Sequence, residues 1–226
     1  MKVVAIIQAR MGSSRLPGKV MMKIDDENPA LYYVIKQLQS CKSLDKIIVA
    51  TSVLDKDNPI EEFVKKMDVT IFRGDEQNCL DRYYQCAKKF EADIIVRIPA
   101  DKPLIDPNLV DDVVSKFSKN NYDYVSNWLS TKNVPNGTEV EAITFSALKK
   151  TWENVTKLFD KEHVTPYIYE NPEKFNIFSI KYKNYFLDVK YALDTKEDYE
   201  QIKFIIKKIK KRPILTEDII KIIKNS

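Results

Sequence analysis

Short apolar strands alternating with helices run through the first half of the chain, and this alternation restricts the fold more than any other feature. Val3–Ile7, Ile47–Ala50, Val69–Phe72 and Ile94–Ile98 read as strands. Their runs of Val and Ile lack polar alternation, as expected of strands buried on both faces. Asn28-Pro29 opens a helix running to about Ser40, with Asn28 as the expected N-cap and Pro29 in the first turn. Asn58-Pro59 repeats the device before Ile60–Met67. Leu80–Phe90 reads as a third helix, and Asp106 caps a fourth that starts at Pro107 and runs to about Lys119. This order predicts an α/β fold with a mostly parallel sheet covered on both faces. Ligands of such sheets sit beyond the carboxyl ends of the strands, so the loops 8–19, 51–58 and 99–105 are expected at one edge.

The first of those loops is the most informative for function. Residues 6–20 read IIQARMGSSRLPGKV, placing Arg10, Gly12, Arg15, Gly18 and Lys19 directly after a strand. Glycines let the backbone approach a ligand, and guanidinium and ammonium groups neutralise it, which suits a polyphosphate. A Walker A loop is excluded, because Val20 follows Lys19 where a metal-binding hydroxyl is required. A dinucleotide G-x-G-x-x-G fingerprint is absent as well.

The chain has 226 residues, 44% of them hydrophobic, which is enough for one sizeable domain spanning 1–226. Three scattered cysteines and a single histidine, His163, fit reduced thiols in a cytoplasmic protein and argue against a zinc site. No window approaches a membrane span or a signal peptide. The formal charge of +4 leans on Lys207, Lys208, Lys210, Lys211 and Arg212. That run reads as a solvated helix face, so no nucleic-acid or membrane partner is expected. In the second half, 127–144 and 176–190 look like strands or arms that extend the sheet or make a subunit contact. Thr195 with Asp198 forms a capping box, followed by Tyr199, Ile202, Ile205, Ile206 and Ile209 on one helical face, and Thr216 is a candidate cap for the last helix.

A polyphosphate loop becomes an enzyme when carboxylates hold a divalent metal beside it. Asp101 stands at the carboxyl end of the strand Ile94–Ile98, and Asp194 lies just before a helix start. Asp75, Glu76, Asp81 and Arg82 read as surface charges. Glu139 and Glu141 are two apart and would share one face of a strand, towards an acceptor. His163 sits among apolar neighbours and reads first as a packing residue.

Seven ordered blocks carry a resemblance: IIQARMGSSRLPGKVM, IIVATS, FRGDEQNCLDRYYQCAK, ADIIVRIPADKPLIDP, YVSN, EHVTPYIYENPEKF and ALDTKEDYE. Together they resemble the cytidylyltransferases of spore-coat polysaccharide synthesis and, more distantly, the CMP-Kdo and CMP-sialic acid synthetases. The resemblance implies a three-layer α/β/α sandwich of the nucleotide-diphospho-sugar transferase type, often a homodimer. It implies Mg²⁺-dependent attack of an acceptor oxygen on the α-phosphorus of CTP, with release of pyrophosphate. Arg10, Lys19 and Asp101 would be catalytic. Gln8, Ala9, Gly12, Arg15, Thr51, Ser52, Arg73 and Ala100 would join Arg10 and Lys19 in binding the nucleotide, and Asp101 and Asp194 would bind the metal. Glu139, Glu141, His163 and Lys190 are the candidate acceptor residues, within a region 127–190 expected to serve the acceptor and a dimer contact. Ala100 and Lys102 stand where relatives carry a glycine and a small or acidic residue, and Lys190 replaces an arginine. A phosphorylated sugar or sugar alcohol giving a CDP-linked precursor of surface polysaccharide is the expected acceptor. A 3-deoxy-ulosonic acid giving a CMP-sugar is the alternative.

Overall fold

The computed structural model describes residues 1–117, 120–129, 134–182 and 190–224. β1 (Val3–Gln8), β2 (Lys46–Ser52), β3 (Thr70–Gly74) and β4 (Ile94–Pro99) are the expected parallel strands. β5 (Tyr124–Ser126), β6 (Glu141–Thr144) and β7 (Ile177–Ser179) continue the sheet in the order β3-β2-β1-β4-β6-β5-β7. β6 runs antiparallel to both β4 and β5, whereas β5 and β7 are parallel. The segments around 127–144 and 176–190 therefore extend the sheet, as their alternation implies. Residues 130–133 and 183–189 of those segments lie outside the described residues.

Helices cover both faces, giving the three-layer α/β/α arrangement. α1 (Ala30–Leu38), α2 (Asn58–Lys66) and α4 (Pro107–Ser115) pack on the face presented by Val3, Ala5 and Ile7. α3 (Cys79–Lys89), α5 (Phe145–Asn154) and α7 (Pro166–Tyr169) cover the face of Val4 and Ile6, and α6 (Leu158–His163) packs on α3 and α7. The alternation along β1 feeds two cores because successive side chains point to opposite faces. Each fully buried Val or Ile contributes about 1.5–3 kcal/mol relative to exposure. A third cluster joins α8 (Lys196–Lys208) and α9 (Thr216–Lys224) to Ala30 and Tyr33 through Ile202, Ile205, Ile206 and Ile209. All three cysteines are free thiols. No helix among the described residues is long and apolar enough to cross a membrane.

The caps divide into two groups. Asp106 accepts from Asn108 N at 2.9 Å, and Thr195 with Asp198 forms a complete capping box, both as expected. The two asparagines do not cap. Pro29 itself stands at the N-cap of α1, while Asn28 donates to Asp25. A short 3₁₀ turn, Asp55–Asp57, precedes α2, and Asn58 is the first helical residue with its side chain turned to Arg73. Thr216 likewise begins α9 with its Oγ1 unpartnered, so it is no cap. α4 stops at Ser115, before Lys119, and residues 118–119 lie outside the described residues.

Candidate active site

The carboxyl ends of β1, β2 and β4 meet at one edge, and backbone hydrogen bonds fix their loops together. Ala9 N donates to Ala50 O at 3.1 Å, and Ala100 N to Gln8 O at 3.0 Å. Asp57 is fully buried and accepts from Met11 N at 2.7 Å and Ser52 Oγ at 2.5 Å. The loop after β1 is thus tied to the loop after β2. Gly18 adopts φ +72°, the left-handed conformation that favours glycine, and leads into a 3₁₀ turn at Lys19–Met21. The backbone of Lys19 is held there while its side chain reaches back towards the strand ends.

A cavity of about 220 Å³ opens at this edge, with Gln8, Arg10, Gly12, Arg15, Lys19 and Asp101 among its walls. The three loop cations therefore converge on one space. Lys19 Nζ lies 2.7 Å from Asp101 Oδ2 and 3.0 Å from Asp194 Oδ1, so both expected metal ligands meet within reach of a single cation. Arg15 Nη2 adds a contact of 2.9 Å to Asp194, and Arg10 Nη2 pairs with Glu162 at 3.0 Å. Burial alone would raise the Asp194 pKa, but Lys19 and Lys190 outweigh it and hold the carboxyl below its usual range. Among the described residues no three His, Cys, Asp or Glu side chains gather as a metal cage. Two carboxylates beside a cationic pocket instead fit a hard divalent cation that completes its shell with phosphate oxygens.

Asp194 is brought to Asp101 over a long stretch of chain. Leu193 N donates to Asp101 O at 2.8 Å, and Tyr191 N donates to Asn136 O at 2.5 Å. Gly137 makes that approach possible: its φ is +102°, and a Cβ there would lie 2.5 Å from Ala192 N. No motif flags this glycine, because its neighbour is distant in sequence. Asp198 then accepts from Asp194 N and Thr195 N, each at 2.9 Å, and pairs with Lys190 at 2.7 Å. Burial depresses the Lys190 pKa, but the Asp198 and Asp194 carboxylates overcome that and raise it.

The other expected site residues are placed differently. Ala9 and Ala100 are buried and contribute backbone. Thr51 and Ser52 are fully buried, and Ser52 serves Asp57. Arg73 is committed to Ser52 O, Leu54 O, Asn58 and Glu61, so it braces the 52–61 segment and does not line the cavity. Lys190 holds Asp194 and Asp198. Glu139 precedes β6 and pairs with Lys102 at 3.0 Å. Glu141 is buried, with Arg97 at 2.5 Å and Tyr124 Oη at 2.6 Å. Burial pushes its pKa up, but Arg97 and Tyr124 bring it below the ordinary glutamate value. Neither glutamate lines this cavity, and Glu139 lies outside β6, so the two do not share the strand face read from their spacing.

His163 is exposed, its ring 4.3 Å from that of Phe159. It lines a smaller cavity of about 100 Å³ that shares Gln8, Arg10 and Glu162 with the first. The next residue, Val164, is fully buried at φ +73°, and Thr165 N donates to His163 O at 2.9 Å. A β-branched residue in this γ-turn is strained, and the surrounding core must hold it there.

Arg82 is the residue the sequence reading missed. It is 2% exposed, not a surface charge, and it lines the smaller cavity with Cys79. Its guanidinium donates to Asp75 O, Glu76 O and Cys79 Sγ, its Nε has no partner, and no carboxylate pairs with it among the described residues. Helical spacing held the signal, since Arg82 shares a face with Cys79 and Cys86.

A family model described as cytidylyltransferase matches residues 4–225. The spore coat polysaccharide biosynthesis protein SpsF of Bacillus subtilis is 33% identical over 218 residues, covering 93% of this chain and 89% of that protein. A 3-deoxy-manno-octulosonate cytidylyltransferase of Trichlorobacter lovleyi is 32% identical over 122 residues, covering 53% of this chain and 46% of that protein. The solved structure of a cytidylyltransferase from Leptospira borgpetersenii serovar Hardjo-bovis superposes with a TM-score of 0.94 at 34% identity, covering 100% of this chain and 94% of that one. With the loop cations and paired aspartates at one strand edge, these likenesses establish that the chain belongs to the cytidylyltransferase family and is a CTP-dependent nucleotidyltransferase.

Proposed function

We propose that the protein joins CTP to a phosphorylated sugar or sugar alcohol in a Mg²⁺-dependent reaction, giving a CDP-activated precursor of surface polysaccharide. The observation that carries this reading is the convergence of Arg10, Arg15, Lys19 and Asp101 on one cavity, with Asp194 held against Lys19 and Arg15. An acceptor phosphate oxygen forms the new bond to the α-phosphorus. The bond from that phosphorus to the bridging oxygen breaks, and its electron pair leaves with pyrophosphate. Arg10, Arg15 and Lys19 neutralise the charge that grows on the leaving group, so positioning and electrostatics supply the catalysis. A Mg²⁺ held by Asp101 and Asp194 would add charge neutralisation at phosphate oxygens. Gln8, the backbone of 8–12 and Arg82 form the wall available to the base. The segment 127–190 serves the acceptor and the contact of a homodimer, and residues 1–226 act as one nucleotidyltransferase domain.

The half-length match to a 3-deoxy-manno-octulosonate enzyme favours a second reading, a 3-deoxy-ulosonic acid as acceptor and a CMP-sugar as product. A pyrophosphate-release screen separates the two, with CTP against sugar phosphates, polyol phosphates and ulosonic acids. Release with a phosphorylated acceptor, lost by at least ~10²-fold in Asp101→Asn, is the expected result. Release with no acceptor in the panel overturns both readings.

A further inference from the structure

Lys19 does two things that do not fit together in a single state. As a phosphate-binding cation it must present Nζ to the cavity, yet in this structure Nζ sits between Asp101 and Asp194 at 2.7 and 3.0 Å. Its side chain is 10% exposed, so water screens the contacts little. Asp101 has no other side-chain partner among the described residues, whereas Asp194 also holds Arg15 and Lys190. The ammonium therefore stands where a divalent cation would bridge the two carboxylates.

We propose that Lys19 is the resident counter-cation of the Asp101–Asp194 pair, and that a nucleoside triphosphate must draw it off before a divalent metal can bridge them. This rests on the reading of that pair as the metal site. Without Lys19, Asp101 would face the like charge of Asp194 with no cation of its own, so the pair holds Lys19 until something replaces it. The 3₁₀ turn fixes the lysine backbone, and the four-carbon stem swings between carboxylates and cavity. Phosphates entering beside Arg10 and Arg15 offer Nζ new partners. A divalent ion held by Asp101 and Asp194 would supply two positive charges where Lys19 supplies one. Linkage makes the effect mutual: nucleotide tightens the metal, and metal tightens the nucleotide by the same factor.

The test uses Mn²⁺ alone, without nucleotide, with free Mn²⁺ read by electron paramagnetic resonance. Lys19→Met removes the charge but keeps the length of the stem. It should bind Mn²⁺ at least tenfold tighter than the wild-type protein, and adding Asp101→Asn should abolish the gain. Lys19→Arg, which keeps a cation, should bind Mn²⁺ as weakly as wild type. The proposal is overturned if Lys19→Met gains nothing, or if the gain survives Asp101→Asn. CTP binding in EDTA is measured in parallel and should weaken at least tenfold in Lys19→Met. If wild type binds no CTP under any condition while the Mn²⁺ gain persists, the nucleotide reading fails and the counter-cation role stands.

Discussion

Removing Arg97 should be far more costly than removing Arg97 and Glu141 together. The two face each other across the β4–β6 pairing, with side chains 12% and 6% exposed and a contact of 2.5 Å. Arg97→Met leaves Glu141 buried with the neutral hydroxyls of Tyr124 and Thr165 against it. An uncompensated buried charge of this kind costs about 3–5 kcal/mol. In a chain of this length that corresponds to a fall in melting temperature of roughly 6–20 °C. The double variant Arg97→Met/Glu141→Leu removes the stranded charge, so most of the loss should return, with a coupling above ~2 kcal/mol. The pH dependence supplies a second signature. Burial raises the Glu141 pKa, but Arg97 and Tyr124 pull it below its ordinary 4.5, so its stabilisation is present above 4.5 and lost as pH falls through the lower folded value. Without Arg97, burial raises the folded value instead, and the deficit of the single variant should shrink as pH falls towards 4.5. Urea unfolding of wild type, Arg97→Met, Glu141→Leu and the double variant at neutral and acid pH measures all of this, and pyrophosphate release should persist in the double variant with its acceptor KM unchanged. A single variant as stable as wild type, or a double variant no better than the single, refutes the reasoning.

Two further outcomes concern the site itself. Arg82→Met should raise the KM for CTP by about tenfold or more while lowering the melting temperature little, because this buried guanidinium has no carboxylate to strand. An unchanged KM in steady-state assays removes Arg82 from the nucleotide wall. Asp198→Ala strips the capping box and frees Lys190, and should cost about 2 kcal/mol near neutrality. Burial raises the Asp198 pKa, but Lys190 and the backbone of Asp194 and Thr195 lower it below 3.8. Its contribution is thus present above 3.8 and disappears as pH falls, so wild type and variant should converge in acid denaturation.

The strands β1, β2 and β4, the Asp106 cap and the Thr195–Asp198 box were legible because each depends on contiguous residues. So was the clustering of Arg10, Arg15 and Lys19 after β1, since charge density in a loop needs no tertiary information. What escaped depends on pairing at a distance. The Glu141 role follows from an antiparallel register with Arg97, and no spacing rule links residues 44 apart. Gly137 matters because Ala192 passes beside it. Asn28 and Asn58 carry the right residue type for a cap, yet Asp25 and Arg73 supply better partners and the helices begin elsewhere. Arg82 was hidden by its charge, although its helical face already pointed inward.

The reversal of direction at β6 divides the labour of the sheet. β1, β2 and β4 deliver their ends to the cavity lined by Arg10, Arg15 and Lys19, so a change in register there would disturb every cation at once. β5 runs in the direction of β4 and ends at that same edge, where its connection to β6 departs. Loop length costs little free energy: each doubling adds only about 0.6 kcal/mol. A lineage can therefore lengthen, shorten or recompose that connection and leave the cluster of loop cations intact. One half of the sheet is thus constrained by the cations its loops carry, and the other half is free to change.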